Sequence, residues 1–226
     1  MNDGKKHRYL EAARGVFLRY GYKRANMNDI AHAAGISRAA LYLVFKNKQE
    51  VFVGVLDQWV DEIIAEVKNA TATCLPAKEK LKHAFEIWAV RPYDMIGSSV
   101  EARELLECNF DFAQASLKEA YARFEAMIAP LIATSVPGGN GAEYLTPERI
   151  AHILVSAVHG LKHTAKTSIE LRQLIEDLLF MTLPNPLVQT ATVQKPAVQI
   201  FGSFGRIDEP ASANAGRRAP KRKQLV

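Results

Sequence analysis

Residues 26–48 read NMNDIAHAAGISRAALYLVFKNK, and each position has a part to play if the stretch forms two short helices about a tight turn. Asn26 caps the first helix, with Asp29 in its opening turn, where a carboxylate favours the unpaired amides. Gly35 ends it, because glycine takes the left-handed conformation that such a turn needs. Ser37 caps the second helix, which runs from Arg38 to Phe45. Ile30, Ala31 and Ala34 form a small apolar face for close approach, and Ile36 and Leu41 fill the space between the helices. Arg38, Ala39, Tyr42 and Leu43 are left to face outward.

On the N-terminal side, Leu10, Ala13, Phe17 and Tyr20 recur at three- and four-residue spacing, as the buried stripe of a first helix does, and Gly21 stops it. On the C-terminal side, a long fourth helix runs on from Lys48 through Phe52, Leu56, Trp59 and Ile63. Beyond Pro76 the periodicity predicts helices over Ala77 to Arg91 and Pro92 to Asn109, each with a proline at its boundary. Leu117, Tyr121, Phe124, Ile128 and Leu131 mark a longer one, ended by the loop from Pro137 to Gly141. Pro147 to about Lys166 and Ile169 to Thr182 complete the set. No segment reads as strand and no repeat recurs at solenoid period. The expected fold is all-α: a three-helix head over 1–48, joined by helix four to a helical bundle over 49–183, about nine helices in total. Residues 184–226, rich in Pro and Ala with a basic end from Arg217 to Lys223, are expected to be a disordered tail.

Charge divides along the same lines. The net +5 is the sum of +7 over residues 1–48, −7 over 49–183 and +5 over 184–226. A basic head on an acidic body suits a protein that brings one end to phosphates, since the body is repelled where the head is drawn in. The tail scans DNA non-specifically or serves as a solubilising end.

Other classes find little support. Cys74 and Cys108 stand far apart with no CxxC spacing and no basic neighbour in sequence, so both read as structural thiols of a reducing compartment. There is no P-loop, GxSxG, HExxH or glycine-rich dinucleotide turn, so no catalytic residue, enzyme activity or cofactor is expected. The N-terminus begins with charge rather than an apolar signal, and no run approaches the ~20 apolar residues of a membrane span; a cytoplasmic protein is expected. His159 and His163 lie one turn apart on the helix from Pro147, with His152 about 10 Å further along it. No Cys, Asp or Glu completes a ligand set by spacing, so His152, Ser156, His159 and His163 are expected to form a solvated or interfacial polar face rather than a metal site, opposite Ile150, Ile153, Leu154, Ala157 and Leu161.

The stretch from 26 to 48 resembles the helix-turn-helix of the TetR family. Asp29, Ile30, Ala31, Ala34, Gly35, Ile36, Ser37, Leu41, Tyr42, Phe45 and Lys48 match its pattern, preceded by a helix ending in Phe17, Tyr20, Gly21 and Tyr22. The resemblance implies a transcription regulator, a repressor before an activator, that binds a palindromic operator as a homodimer and is released by a small-molecule effector. The candidate DNA-binding residues are Asn26, Asn28, Ser37, Arg38, Ala39, Tyr42, Leu43, Lys46 and Lys48, with Tyr42 and Lys48 on phosphates and Arg38 and its neighbours at the bases. Large apolar residues of the middle helices, Phe85, Trp88, Phe110, Phe124 and Met127, are candidates for an apolar effector pocket. The helices from Pro147 and Ile169 resemble the family's dimer-forming pair. Ala25, Ala40 and Val44 depart from the family, which often has polar residues there; they are read as surface positions that have lost contacts to the DNA backbone. That loss leaves an alternative function, a helical interaction protein with a degenerate DNA-binding head.

Overall fold

The computed structural model describes residues 3–97, 110–135 and 145–183, all within a compact unit spanning Met1–Gln189. Cys108, the loop 137–141, the end of the expected helix 92–109 and the tail 184–226 lie outside the described residues. The described part is helical throughout: α1 (Asp3–Arg24), α2 (Met27–Ala33), α3 (Arg38–Tyr42), α4 (Lys48–Thr71), α5 (Ala77–Phe85), α6 (Arg91–Gly97), α7 (Gln114–Ser135), α8 (Pro147–Thr164) and α9 (Ser168–Thr182). A π-helical turn (Glu86–Val90) joins α5 to α6, and a 3-10 turn (Asp111–Ala113) leads into α7.

The caps lie where the side chains dictate. Asn26 Oδ1 accepts from the amides of Asn28 at 2.9 Å and Asp29 at 3.1 Å, while Asp29 Oδ2 accepts from Asn26 N at 3.0 Å, closing a reciprocal capping box. Ser37 Oγ accepts from Ala40 N at 3.1 Å, and Asn47, Thr146 and Thr167 cap α4, α8 and α9 in the same manner. Gly35, at φ 66°, makes the turn between α2 and α3. Gly21, at φ 72°, breaks the course of α1 as expected, though one further helical turn follows to Arg24.

Three local expectations change. First, α3 ends at Tyr42 rather than Phe45, because the amides of Val44 and Phe45 both turn back to the Leu41 carbonyl. Second, the chain does not break between Arg91 and Pro92. Pro92 has no amide to offer Trp88, and its ring would press on that carbonyl, so the helix widens to π geometry, with Arg91 N bonded to Glu86 O, and continues. Third, Ala25 is 1% exposed and Val44 is half-buried against the head's core. These two are packing positions, so the absence of a polar group at Ala25 is a requirement of the interior rather than a lost phosphate contact.

Two apolar clusters organise the chain. The first joins Leu10, Phe17, Ile30, Leu41 and Phe45 of the head to Val51, Phe52 and Val55 at the start of α4. It also takes Ala113, with Phe110 and Phe112 packed against it, from far along the sequence. The second gathers Phe85, Trp88, Phe124, Ile128, Leu154, Leu171 and Leu179 from α5 onward with Val60 and Val67 of α4. The fourth helix therefore belongs to both. Within the body α7 packs along α8, α8 against α9, and α5 against α4, α7 and α9. Arg172 of α9 grips Glu86 of the π turn through two bonds of 2.8 and 2.9 Å.

Candidate DNA-binding head and effector cavity

The turn at Gly35 is held by Ala34 N to Ile30 O at 2.9 Å and Ile36 N to Ala31 O at 3.0 Å, which fixes α3 across α2. Ile30 and Leu41 are fully buried between them. What the pair presents outward is the row foreseen from sequence: Arg38, Ala39, Tyr42 and Leu43 are all exposed, Leu43 to 85%. The Arg38 guanidinium lies 5.5 Å from the Tyr42 ring centroid and Nη2 reaches the tyrosine hydroxyl at 3.5 Å. Two donors one helical turn apart, at the first and last residues of the short α3, thus share one outward surface, as a helix that meets base edges requires.

The other candidates differ in what they have left to offer. Asn28 and Lys46 are exposed. Asn26 and Ser37 are exposed too, but their oxygens already accept the capping amides, so only their donors remain. Lys48 faces inward. Its Nζ donates to the carbonyl oxygens of Tyr22 at 2.7 Å and Ala25 at 2.8 Å, reaches that of Lys23 at 3.4 Å, and stands 4.3 Å from the Tyr22 ring centroid. Burial holds this ammonium below the usual lysine range. The family resemblance implies a phosphate ligand at Lys48, but in the structure its ammonium ties the start of α4 to the end of α1.

The body contains a cavity of about 750 Å³, within the range of small-molecule sites, walled by α1, α4, the π turn, α6, α7 and α8. Of the five residues expected to line it, Trp88 does; Phe85, Phe124, Met127 and Phe110 do not. Phe85 and Phe124 are fully buried and meet edge to face at 5.4 Å, with Phe124 stacked beneath Trp88 at 4.3 Å, so they support the wall from behind. Phe110 lies in the head's cluster, 4.6 Å from Tyr22. The wall is built instead from Phe17, Phe52, Leu56, Trp59, Ile63 and Val155 among others. Periodicity could assign these to buried faces, but not say which buried face a void would border.

The histidine row is exposed, as the reading from sequence expects, and it also lines the cavity: His152, Ser156, His159 and His163 all border it, while Ile153, expected on the packed side, is 44% exposed. Val155 and Val158 are buried in its place, which rotates the helix relative to the reading from sequence. Tyr121 Oη and His159 Nδ1 stand 2.7 Å apart, and the His159 and His163 rings meet edge on at 5.1 Å. Burial first, then the neighbouring His163 and Lys162, lowers the His159 pKa, so this ring is neutral near pH 7. Among the described residues no group of three or more potential ligands gathers around a metal position.

Residues 10–55 match the family model described as bacterial regulatory proteins, tetR family. Over this segment the chain is similar to the TetR family. One relative, the HTH-type transcriptional activator FasR of Mycolicibacterium smegmatis, is 36% identical over 84 residues, covering 37% of this chain and 38% of that protein. Another, the HTH-type transcriptional repressor KstR2 of the same species, is 28% identical over 120 residues, 51% of this chain and 58% of its own length. The chain thus spans well under two thirds of FasR and somewhat more than half of KstR2. A crystal structure of a TetR-family transcriptional regulator from Rhodococcus sp. superposes with a TM-score of 0.64 at 19% identity, over 80% of this chain and all of that one, which establishes the shared fold. Among the described residues no helix is long and apolar enough to cross a membrane.

Proposed function

We propose that this protein is a DNA-binding transcription regulator whose head, residues 1–48, docks α3 in the major groove, and whose body, 49–183, pairs two copies and takes a small apolar effector. The observation that carries the reading is the exposed Arg38 and Tyr42 pair on a helix fixed by a glycine turn, on a segment with a net charge of +7. Asn28, Ala39, Leu43 and Lys46 flank it, with Asn26 and Ser37 offering their remaining donors. Homodimerisation is supported by apolar side chains left exposed on the last two helices, Ile153 at 44%, Ile169 at 73%, Phe180 at 56% and Met181 at 75%. A short helix reads few base pairs, and two heads about 34–36 Å apart would read a palindrome. Effector binding would favour one head spacing over another, and repression relieved by ligand is the simplest outcome; FasR and KstR2, an activator and a repressor by name, supply precedents for either sign.

The test is a binding measurement at fixed salt with the protein's own promoter region and with random DNA. The promoter should bind at least a hundredfold tighter, and Arg38→Ala with Tyr42→Ala should remove most of that margin without lowering the melting temperature. Equal, weak affinity for both DNAs would leave the regulator reading without support.

A further inference from the structure

Lys162 is a charged group of the cavity wall with no part in the DNA-binding head. It lies on α8 between His159 and His163 and lines the cavity with them. Its side chain is half-buried, and among the described residues its ammonium makes no ion pair and no hydrogen bond. Enclosure by the surrounding helices pulls its pKa down to about 8, so near neutral pH most of the population still carries the charge. An enclosed, unpaired cation is costly unless something compensates it.

The rest of the lining does not compensate it. Among the described lining residues the one carboxylate is Glu125, and it is engaged by His152 Nδ1 at 3.0 Å. The other titratable groups of the wall are Arg14 of α1, Tyr93 of α6, Lys118 and Tyr121 of α7, and His159 and His163 of α8. None can supply a negative charge near neutral pH. Arg14 is itself paired with Glu62, and burial raises the Tyr121 pKa further from ionisation. Away from these groups the surface is aromatic and aliphatic: Phe17, Phe52, Leu56, Trp59, Trp88 and Val155.

We infer that the cavity takes an elongated apolar ligand ending in a carboxylate, whose acid end is bound by the Lys162 ammonium beside Tyr121 and His159 while its chain lies along the aromatic wall. This assignment rests on the cavity being the effector site. A carboxylate delivers the missing counter-charge, whereas a neutral head group buries the cation further and an ammonium head repels it.

Both tryptophans of the chain, Trp59 and Trp88, line the cavity, so their emission reports occupancy directly. The probes are straight-chain carboxylates of about eight to sixteen carbons, with the n-alkanol and n-alkylamine of each length, all kept below micelle formation at pH 7. Carboxylates should quench or shift the emission at concentrations at least tenfold lower than the matching alkanols, and the amines should not bind. Lys162→Met, which removes a buried charge and should fold at least as well, should keep alkanol binding and lose the tenfold preference; Lys118→Met should retain it. Alkanols binding the wild-type chain as tightly as carboxylates, or a preference unchanged in Lys162→Met, would overturn the assignment while leaving the cavity as an effector site. If no probe of any charge alters the emission, the effector reading falls with it.

Discussion

An ammonium that donates to three carbonyl oxygens has no proton left for a phosphate, and Lys48 is in that position. The sequence pattern singles out the residue and gives its role only by analogy, because spacing does not show which way a side chain at a helix start will turn. Replacing it with methionine removes the donor of two part-buried carbonyls, those of Tyr22 and Ala25, at a cost of about 1–3 kcal/mol. The Lys48→Met variant should therefore melt several degrees lower and lose DNA affinity through a loosened head, whereas a simple phosphate ligand would cost affinity and leave the melt unchanged. Lys162 makes a second residue-level prediction. Its folded pKa of about 8 lies below its ordinary value of 10.5, so between those limits the unfolded chain holds a proton that the folded chain has released. This group's contribution to stability accordingly rises with pH through that window, and below about pH 8 it is a constant penalty. Its setting includes Arg14, Tyr93, Lys118, Tyr121, Glu125, His152, His159 and His163. Thermal melts of the ligand-free wild type and Lys162→Met should show the variant more stable at pH 7, with the gap narrowing toward pH 10; a gap independent of pH would refute the burial of the charge.

At the scale of elements, the fourth helix spans both apolar clusters, and its seat on α1 depends on Gly54. A Cβ placed there would fall 2.9 Å from Leu10 Cδ2, closer than side chains pack. Gly54→Val should thus displace the Leu10 side chain within the head's core and lower the melting temperature, while Gly15→Ala, with open space around it, should not. The order of the helices and two of the caps were legible because capping is local chemistry: Asn26 and Ser37 announce their helices within three residues, whereas the caps at Asn47, Thr146 and Thr167 emerge only in the structure. The cavity was not, since its wall combines residues from α1, α4, α6, α7 and α8. Periodicity identifies a buried face without naming its neighbour, which is why Phe85 and Phe124 passed for lining and Phe17, Leu56 and Trp59 did not. The π turn was hidden for a different reason: a proline after a helical run usually signals a boundary, and here the Arg172 grip on Glu86 and the stacking of Trp88 on Phe124 hold the chain in one course.

At the scale of the whole molecule, Phe110 and Phe112 leave the body's sequence to join Phe17, Tyr22 and Phe52 in one aromatic cluster. Phe17 and Phe52 also border the cavity, and α7, which begins just after Ala113, supplies Leu117 and Tyr121 to it. If ligand occupancy moves α7, the head feels it through these rings. Phe112→Ala should leave ligand quenching of Trp59 and Trp88 intact but raise the ligand concentration needed to release DNA by tenfold or so, a coupling loss of about 1.4 kcal/mol; release at the wild-type concentration would place the coupling elsewhere. The same intrusion limits how freely such proteins can be recombined. A DNA-reading segment excised at residue 48 and grafted onto a foreign body would arrive without the two phenylalanines that complete its interior, so interchange of specificities by shuffling has to carry the segment around Phe110 along with the head.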